Sequence, residues 1–408
     1  MPRPTRRFTA LVGGALLLFL IGTNIQSGWL FVLSALLLGA AIGGLLLPRW
    51  MVRGIEISRS APLEATQGVA TQVRLEVTNA SRGVAWLLVV DDDHLARTRL
   101  LVGSVAPNER VFLDGQRVPA RRGTCTTSSV TVTSTAPFGV GRARATIEVS
   151  TTTTVLPAWT ELPAPAFVAP APAHDRTLHS RARRGTGPEY LGIREYRFGD
   201  SMRHVHWPST ARTGSVMVRE FEQEQRPVLV LVVDTLADRG LQNTPLDRCC
   251  SIVASWALAA MRAGVTIRLA AGVAGRLEVL EDADPHRVLR WLADLPRSGG
   301  LGLAEVLGAL APRLDAEGGV LVAAPTWRAN DAERFPPALR GLAPRAQRLA
   351  VALVDADAYE GEPTAPILGA ADATRLTESL LVSGVDAFRV LPDDELSDVL
   401  PDRYRWGG

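Results

Sequence analysis

Residues 228–238, VLVLVVDTLAD, contain an apolar run that ends abruptly at an acidic residue. Valine and leucine fill every position from Val228 to Val233, and such a run predicts a strand that is buried on both faces. Asp234 follows at the carboxyl end of this strand, where open α/β sheets place their functional groups. The stretch therefore predicts an α/β sheet and marks a first candidate site.

Downstream of this strand, strand-like runs alternate with helical patterns. Helices are predicted at 246–263, from Asp284-Pro285 onward and at 301–314, and strands at 265–271, 319–324, 349–354 and 388–391. Strands that alternate with helices indicate a mostly parallel sheet covered on both faces. Residues 227–408 are therefore predicted to form a doubly wound α/β domain.

The residues before this domain form two segments that differ in hydrophobic pattern and composition. From residue 54 to about 160, short runs alternate apolar and polar residues, as at Val73, Leu75 and Val77, with turn residues between the runs. This pattern predicts an antiparallel β-sandwich. Residues 161–226 begin with a segment rich in proline and alanine, which is typical of a semi-rigid linker.

The N-terminus, residues 1–53, contains two uncharged apolar stretches separated by a few polar residues. Each is close to the roughly 20 residues that a helix needs to cross a bilayer. Arginines precede the first stretch and follow the second, so the positive-inside rule predicts a two-span hairpin with both ends in the cytoplasm. The expected location is thus the cell membrane, with multi-pass topology and the soluble domains on the cytoplasmic side. The alternatives are a cleaved signal peptide containing Arg6-Arg7, and an inverted topology with a periplasmic body.

Composition excludes several classes of protein. The 408 residues include 44 basic residues, all of them arginine, against 42 acidic ones, for a net charge of +2. This balance argues against nucleic acid as a partner, because a general nucleic-acid-binding protein needs a strong basic excess. The sequence contains no nucleophile elbow, no phosphate-binding loop and no zinc-protease motif. We therefore expect no enzymatic activity and no cofactor.

The loop from Asp234 to Asp238 resembles the Asp-x-Ser-x-Ser loop of von Willebrand factor A domains. In that family this loop holds a divalent cation together with a threonine and an aspartate from two other loops. Here Leu236 and Asp238 replace the serines, and Leu301 stands at the threonine position. The resemblance implies a von Willebrand factor A-like domain whose metal site is degenerate, so no bound metal is expected. The alternative is a divalent-cation-dependent binding domain or hydrolase that uses Asp234 and Asp238.

Residues 187–224, which we name the signature segment, read GPEYLGIREYRFGDSMRHVHWPSTARTGSVMVREFEQE. The segment resembles the conserved signature of the MoxR-associated family known as domain of unknown function fifty-eight. The resemblance assigns candidate protein-binding or signature roles to Gly187, Glu189, Arg194, Tyr196, Gly199, Asp200, Arg203, Trp207, Arg212 and Arg219. Pro137-Phe138-Gly139 is similar to a motif that precedes the signature in this family.

The resemblance implies a membrane-anchored protein of a family that is usually encoded beside a MoxR-type AAA+ ATPase, often with a transglutaminase-like membrane protein. We therefore predict a non-enzymatic adaptor or scaffold that docks these proteins through its A-like domain and residues 187–224, with the lipid bilayer as a further partner. Two interpretations of the signature segment remain open. Its arginines either fix an irregular segment through internal ion pairs or present a docking surface.

Overall fold

The structure is a computed structural model. It describes residues 3–163, 184–198, 200–222, 228–236, 238, 240, 243–314, 318–325, 329–342, 346, 348–361, 370–382 and 385–399. The chain divides into two compact units. The first comprises Met1–Ala158, Gly240–Ser251 and Leu289–Leu295, and the second comprises Trp159–Arg239, Ile252–Val288 and Pro296–Gly408.

Two apolar helices open the first unit, α1 (Arg6–Ile25) and α2 (Gly28–Val52). Gln26 links them in a left-handed conformation with φ 56°, which turns the chain back on itself. Inside the pair, the Ser34 hydroxyl donates to the carbonyl of Ala15 at 2.7 Å, while most other side chains face outward. By length and composition both helices are able to cross a membrane, as the sequence predicted.

The rest of the first unit is built of strands. They are β1 (Arg3–Pro4), β2 (Ile55–Ser60), β3 (Glu64–Thr66), β4 (Thr71–Asn79), β5 (Ala85–Asp92), β6 (Thr98–Val105), β7 (Arg110–Arg117), β8 (Gly123–Ser134) and β9 (Gly141–Leu156). One sheet has the order β2-β4-β7, and the other has the order β1-β9-β8-β5-β6 with β3 beside β9. All these pairs are antiparallel except β3 with β9.

A single apolar core joins residues of both sheets. Leu75 and Val77 from one sheet are fully buried together with Leu88 and Val90 from the other, because alternate residues of each strand point inward. The last turn of α2 contributes Met51 and Val52 to the same core. The body of the first unit is therefore sheet-rich, as predicted, and the second apolar helix runs into it without a linker.

A buried polar group lies within the first unit. Arg59 and Asp92 form an ion pair whose side chains are both 0% exposed, with Nη2 to Oδ1 at 2.6 Å and Nε to Oδ2 at 3.2 Å. His94 is also buried, and its Nε2 lies 3.0 Å from the Thr153 hydroxyl. Burial and the nearby Arg59 and Arg117 guanidinium groups lower the pKa of His94, which favours the neutral imidazole in this charged interior.

The second unit contains a six-stranded sheet. Its strands are β12 (Val228–Val233), β13 (Thr266–Val273), β14 (Arg276–Glu281), β15 (Gly319–Pro325), β16 (Arg348–Val354) and β17 (Asp386–Val390), in the order β14-β13-β12-β15-β16-β17. All neighbours run parallel except β13 and β14, which form an antiparallel pair. A second, two-stranded sheet pairs β10 (Arg184–Glu195) with β11 (Met217–Glu222).

Helices follow most strands. They are α3 (Trp207–Thr213), α4 (Pro245–Arg262), α5 (Pro285–Asp294), α6 (Leu303–Leu310), α7 (Ala329–Leu342), α8 (Ala370–Val382) and α9 (Leu396–Val399). In the second unit, Val230 and Val232 of β12 pack in one core with Leu307 and Leu310 of α6. The first predicted strand is therefore buried as expected, and its carboxyl end, at Asp234, is held by a well-packed sheet.

Candidate functional site

The signature segment folds into a small antiparallel module, which we name the signature hairpin (β10, β11 and the residues between them). Arg194 pairs with Val218 and Ile193 with Arg219 across the two strands. Between the strands, Val205 bridges to Val218, and both side chains are buried, at 6% and 4% exposure. The signature hairpin therefore has a small buried apolar contact of its own, formed by these two valines.

Arg194 and Asp200 fix the loop that follows β10. The guanidinium grips the carboxylate with both of its terminal nitrogens, Nη1 to Oδ2 at 2.6 Å and Nη2 to Oδ1 at 2.7 Å. The backbone N–H of Arg197 also donates to Oδ2 at 2.8 Å. The side-chain hydrogen bond from Arg194, followed by the one from Arg197, lowers the pKa of Asp200 to about 2. A bidentate pair of this kind restrains the direction as well as the distance of both groups.

Helix α3 is capped at both ends by residues of the signature segment. The Nδ1 atom of His206 accepts from the backbone N–H of Ser209 at 3.3 Å, which fills the N-cap position. Gly214 ends the helix in the left-handed region, with φ 73°, and donates to the carbonyl of Thr210. The Thr210 hydroxyl also accepts from the N–H of Met217 at 3.0 Å, which ties the helix to β11.

Large side chains on this rigid framework are left in solvent. Phe198 is fully exposed at 103%, Trp207 is 65% exposed and Met202 is 60% exposed. Three arginines of the segment, Arg203, Arg212 and Arg219, are exposed as well, and so is Tyr196. Aromatic residues, methionine and arginine are enriched at protein interfaces, so the signature hairpin has the composition of a docking surface.

The structure thus separates the candidate residues by what they contact. Arg194 and Asp200 lie together in an internal ion pair, whereas Tyr196, Arg203, Trp207, Arg212 and Arg219 lie on the surface. Gly187 and Glu189 belong to β10, in a part of the strand whose side chains are not described, and Gly199 lies outside the described residues. The sequence did not identify Phe198 and Met202 as site residues. The presence of two large apolar side chains in a charged stretch could have indicated an exposed binding surface.

The pH dependence of the Asp200 pair gives a testable prediction. Because the folded-state pKa of about 2 lies below the ordinary 3.8, this carboxylate stabilises the hairpin at neutral pH, and the contribution is lost as pH falls toward 2. We expect the amides of residues 195–198, 200 and 201 to lose protection against hydrogen exchange across that window. The Asp200→Asn variant should exchange faster already at neutral pH and show no such step. An identical pH profile in both proteins would contradict the assignment.

A second cluster lies at the carboxyl ends of the parallel strands. Oδ1 of Asp234 accepts from the backbone N–H of Leu236 at 3.0 Å, which makes this aspartate part of a turn. Asp238, only 1% exposed, forms an ion pair with Arg297, Nε to Oδ2 at 2.7 Å. The Thr235 hydroxyl donates to the carbonyl of Gly272, and the Gly299 N–H donates to the carbonyl of Thr235 at 2.7 Å. Two loops and the end of β13 therefore meet at this edge of the sheet.

Two carboxylates at this edge of the sheet are paired with arginines. Within the described residues, no group of three or more His, Cys, Asp or Glu side chains is placed to hold a metal ion. The Arg297 guanidinium pairs with the Asp238 carboxylate and balances its negative charge. Asp355, at the end of β16, likewise pairs with Arg389 of β17. Neither arginine was identified from the sequence, although Arg297 directly precedes the Ser298-Gly299-Gly300 loop.

Comparison with protein families gives one match. Residues 192–362 match the family model described as "Protein of unknown function DUF58". The match covers less than half of the chain, so the similarity to this family is shown for residues 192–362. The DUF58 match begins inside β10, includes Arg194, Asp200 and Trp207, and extends beyond β16. The signature residues Gly187 and Glu189 lie just before it. No curated protein matches this sequence.

Three solved structures are similar to this chain at low sequence identity and with low TM-scores. The CARDB domain of PF1109 from Pyrococcus furiosus is 12% identical with a TM-score of 0.17, over 24% of this chain and 94% of that one. The alkylpurine DNA glycosylase AlkC of Pseudomonas fluorescens is 11% identical with a TM-score of 0.17, over 32% and 42%. A family GH20 exo-β-N-acetylglucosaminidase from Vibrio harveyi is 7% identical with a TM-score of 0.19, over 82% and 57%. This chain therefore covers less than two thirds of the AlkC glycosylase and of the Vibrio harveyi enzyme.

Proposed function

We propose that this protein is a membrane-anchored, non-enzymatic adaptor that docks a protein partner through its signature hairpin. The observation that carries the proposal is the exposure of Phe198, Met202 and Trp207 on a framework fixed by the Arg194–Asp200 pair. A rigid surface loses little conformational entropy when a partner binds, and a few residues, often tryptophan, tyrosine or arginine, carry most of the binding energy at interfaces. The two interpretations of the signature segment are therefore compatible: internal pairs build the hairpin, and the exposed residues dock.

The proposed architecture has three parts. α1 and α2 anchor the chain as a two-span hairpin with both ends in the cytoplasm, and the two sheets of the first unit form an antiparallel β-sandwich. The second unit is a von Willebrand factor A-like domain. Its mostly parallel sheet order supports this assignment, and so does the meeting of the Asp234 and Gly299 loops with Gly272 of β13 at the carboxyl ends of the strands.

The proposed partner is a MoxR-type AAA+ ATPase, and a transglutaminase-like membrane protein belongs to the same assembly. This choice rests on the resemblance of the signature segment. The cation-dependent alternative is less well supported, because Asp238 is engaged by Arg297 and Asp234 by its own turn. Titration calorimetry with Mg²⁺ distinguishes the two: heat that disappears in Asp234→Ala would favour the cation-dependent function.

The docking proposal predicts a loss of affinity in Trp207→Ala. Removing a central interface aromatic costs about 2 kcal/mol or more, which corresponds to about a 30-fold weaker Kd. We would measure binding of the detergent-solubilised full chain to the purified ATPase encoded beside it by biolayer interferometry. Trp159→Ala is the matched control, because Trp159 is an exposed tryptophan of the same unit outside the hairpin, and its loss should leave the Kd unchanged. Equal affinity of wild type and a folded Trp207→Ala, or no binding by wild type, would refute the proposal.

A further inference from the structure

The residues before α1 are joined to the loop between β8 and β9. The Thr5 backbone N–H donates to the carbonyl of Val140 at 2.9 Å, and its hydroxyl lies 2.8 Å from the same oxygen. The hydroxyl also donates to the carbonyl of Gly139 at 2.9 Å. Strand β1 then extends this contact by pairing with Gly141 and Arg142. The loop is thereby held at the start of the first apolar helix.

The same loop packs against α2 within its apolar run. A Cβ added to Gly44 would lie 2.9 Å from the Cβ of Val140, and one added to Gly141 would lie 2.7 Å from the carbonyl oxygen of Gly44. Gly44 lies three residues before Leu47, the last residue of the uncharged run. At a rise of 1.5 Å per residue, the contact between Gly44 and the loop lies about 4–5 Å inside the end of the uncharged run. If α2 crosses a bilayer, this loop must therefore reach the bilayer interface.

Large apolar side chains are exposed at this end of the unit. Phe138 in the loop is 53% exposed, Trp50 of α2 is 70% exposed, and Trp86 and Leu87 of β5 are each 47% exposed. Trp86 belongs to the same end, because its carbonyl accepts from the Ser134 hydroxyl at 3.2 Å just before the loop. Leu87 has φ 49°, a conformation that is rare and unfavourable for a leucine. Aromatic residues at such positions are typical of the membrane–water interface.

The exposed charged side chains at this end are mostly basic. Its exposed arginines are Arg6, Arg7, Arg49, Arg53 and Arg142. Two glutamates, Glu56 and Glu109, also lie there, and the carboxylate of Glu109 is engaged by the N–H of Ala106 at 2.6 Å. Arginine is suited to phosphate groups because its guanidinium donates two parallel hydrogen bonds.

We propose that this end of the first unit is a membrane collar that binds the headgroups of anionic phospholipids. Phe138, Trp50, Trp86 and Leu87 lie in the bilayer interface, and Arg6, Arg7, Arg49, Arg53 and Arg142 bind lipid phosphates. The sheets therefore contact the membrane surface directly, and no flexible linker separates them from the membrane anchor. This inference rests on the anchoring part of the proposed function and is independent of the docking part.

The depth of Phe138 tests the collar directly. The full chain with Cys125→Ser and Phe138→Cys would be labelled with bimane and placed in nanodiscs that contain a lipid with a nitroxide high on its acyl chain. The matched control is Leu63→Cys, because Leu63 is 82% exposed and lies beyond the far end of β2, about 20 Å from its start. We expect strong quenching at position 138 and little at position 63. Equal quenching at both positions would overturn the proposal.

The charge requirement needs a separate measurement. In discs of mixed phosphatidylglycerol and phosphatidylcholine, spin-labelled forms of each lipid report their relative association with the protein. We expect wild type to prefer phosphatidylglycerol and Arg142→Gln to reduce that preference by up to about fivefold, the contribution of one arginine at a charged surface. Arg99→Gln is the control, because Arg99 is exposed and lies opposite the far end of β5. No preference in wild type would overturn the headgroup assignment.

Failure of the collar is distinguishable from failure of the anchor. Wild-type protein that carbonate releases from membranes would show that α1 and α2 do not anchor the chain. Protein that stays in the membrane, with no quenching at position 138, would refute the collar alone. Partner binding measured with Trp207→Ala is unaffected by either result.

Discussion

Replacing Asp92 with asparagine will lower the free energy of unfolding of the first unit by about 3–5 kcal/mol, because it leaves a buried arginine without its counter-charge. Arg59 and Asp92 are both fully buried and share two hydrogen bonds. Arg117 lies near His94 in the same interior, and its Nε and Nη2 have no hydrogen-bond partner among the described residues. Loss of the Asp92 carboxylate would therefore leave two guanidinium groups in an uncompensated interior.

Hydrogen exchange of β2 and β5 amides in the detergent-solubilised chain measures this effect locally. Asp114→Asn is the matched control, because Asp114 pairs with Arg74 across neighbouring strands with both side chains more than half exposed. Solvent screens such a pair, so we expect no measurable change there. Adding Arg59→Met to Asp92→Asn should restore part of the loss. A loss in Asp92→Asn that matches the surface control would contradict this account of the buried pair.

Replacing Gly299 with alanine will destabilise the second unit by about 2–3 kcal/mol through overpacking at the strand ends. A Cβ at this position would collide with the carbonyl of Gly272 and the hydroxyl of Thr235. Thr235 lies in the loop that begins at Asp234 and Gly272 lies near the end of β13, and the Gly299 N–H and carbonyl are themselves hydrogen-bonded to Thr235 and Gly275. The backbone has no room to move without breaking these bonds.

Gly308→Ala is the matched control for this substitution. Gly308 lies in α6, where an added Cβ meets nothing within 4 Å. Alanine is favoured over glycine in a helix interior by about 0.5–1 kcal/mol, so this variant should be slightly more stable than wild type. Hydrogen exchange of β12 and β13 gives both values. The second unit should therefore become less stable in Gly299→Ala and slightly more stable in Gly308→Ala. Equal changes in stability in both variants would show that the strand-end loops are not packed as described.

Much of the secondary structure was predictable because apolar spacing is a local property. The run from Val228 to Val233 is a buried strand within those bounds, and the helix predicted at 246–263 is observed as Pro245–Arg262. The third predicted helix is shorter than expected: α6 ends at Leu310, and Pro312 lies in the 3₁₀ turn that follows. Strand β14 and helices α7 and α8 were not predicted, since α7 contains two prolines and β14 alternates over only six residues.

The candidate sites were predictable in part. The signature segment contained Arg194 and Asp200, but the sequence offered several acidic partners for each arginine, and only the folded hairpin selects this pair. Asp234 and Asp238 were identified as a degenerate site. The pairing of Asp238 with Arg297 was not, because it joins residues far apart in the chain. Ion pairs of this kind depend on which loops meet, and local patterns do not contain that information.

The sequence by itself determined the two apolar helices, the sheet-rich body and the strand that ends at Asp234, since each follows from hydrophobic spacing within a short window. Only the tertiary structure decided which arginine holds which carboxylate, which aromatic side chains stay in solvent and which loop reaches α2. The physical reason is that burial and ion pairing depend on distances between residues that are remote in sequence. Phe198 and Phe138 are both phenylalanines between polar or small neighbours, and only their surroundings distinguish a proposed docking residue from a proposed membrane contact.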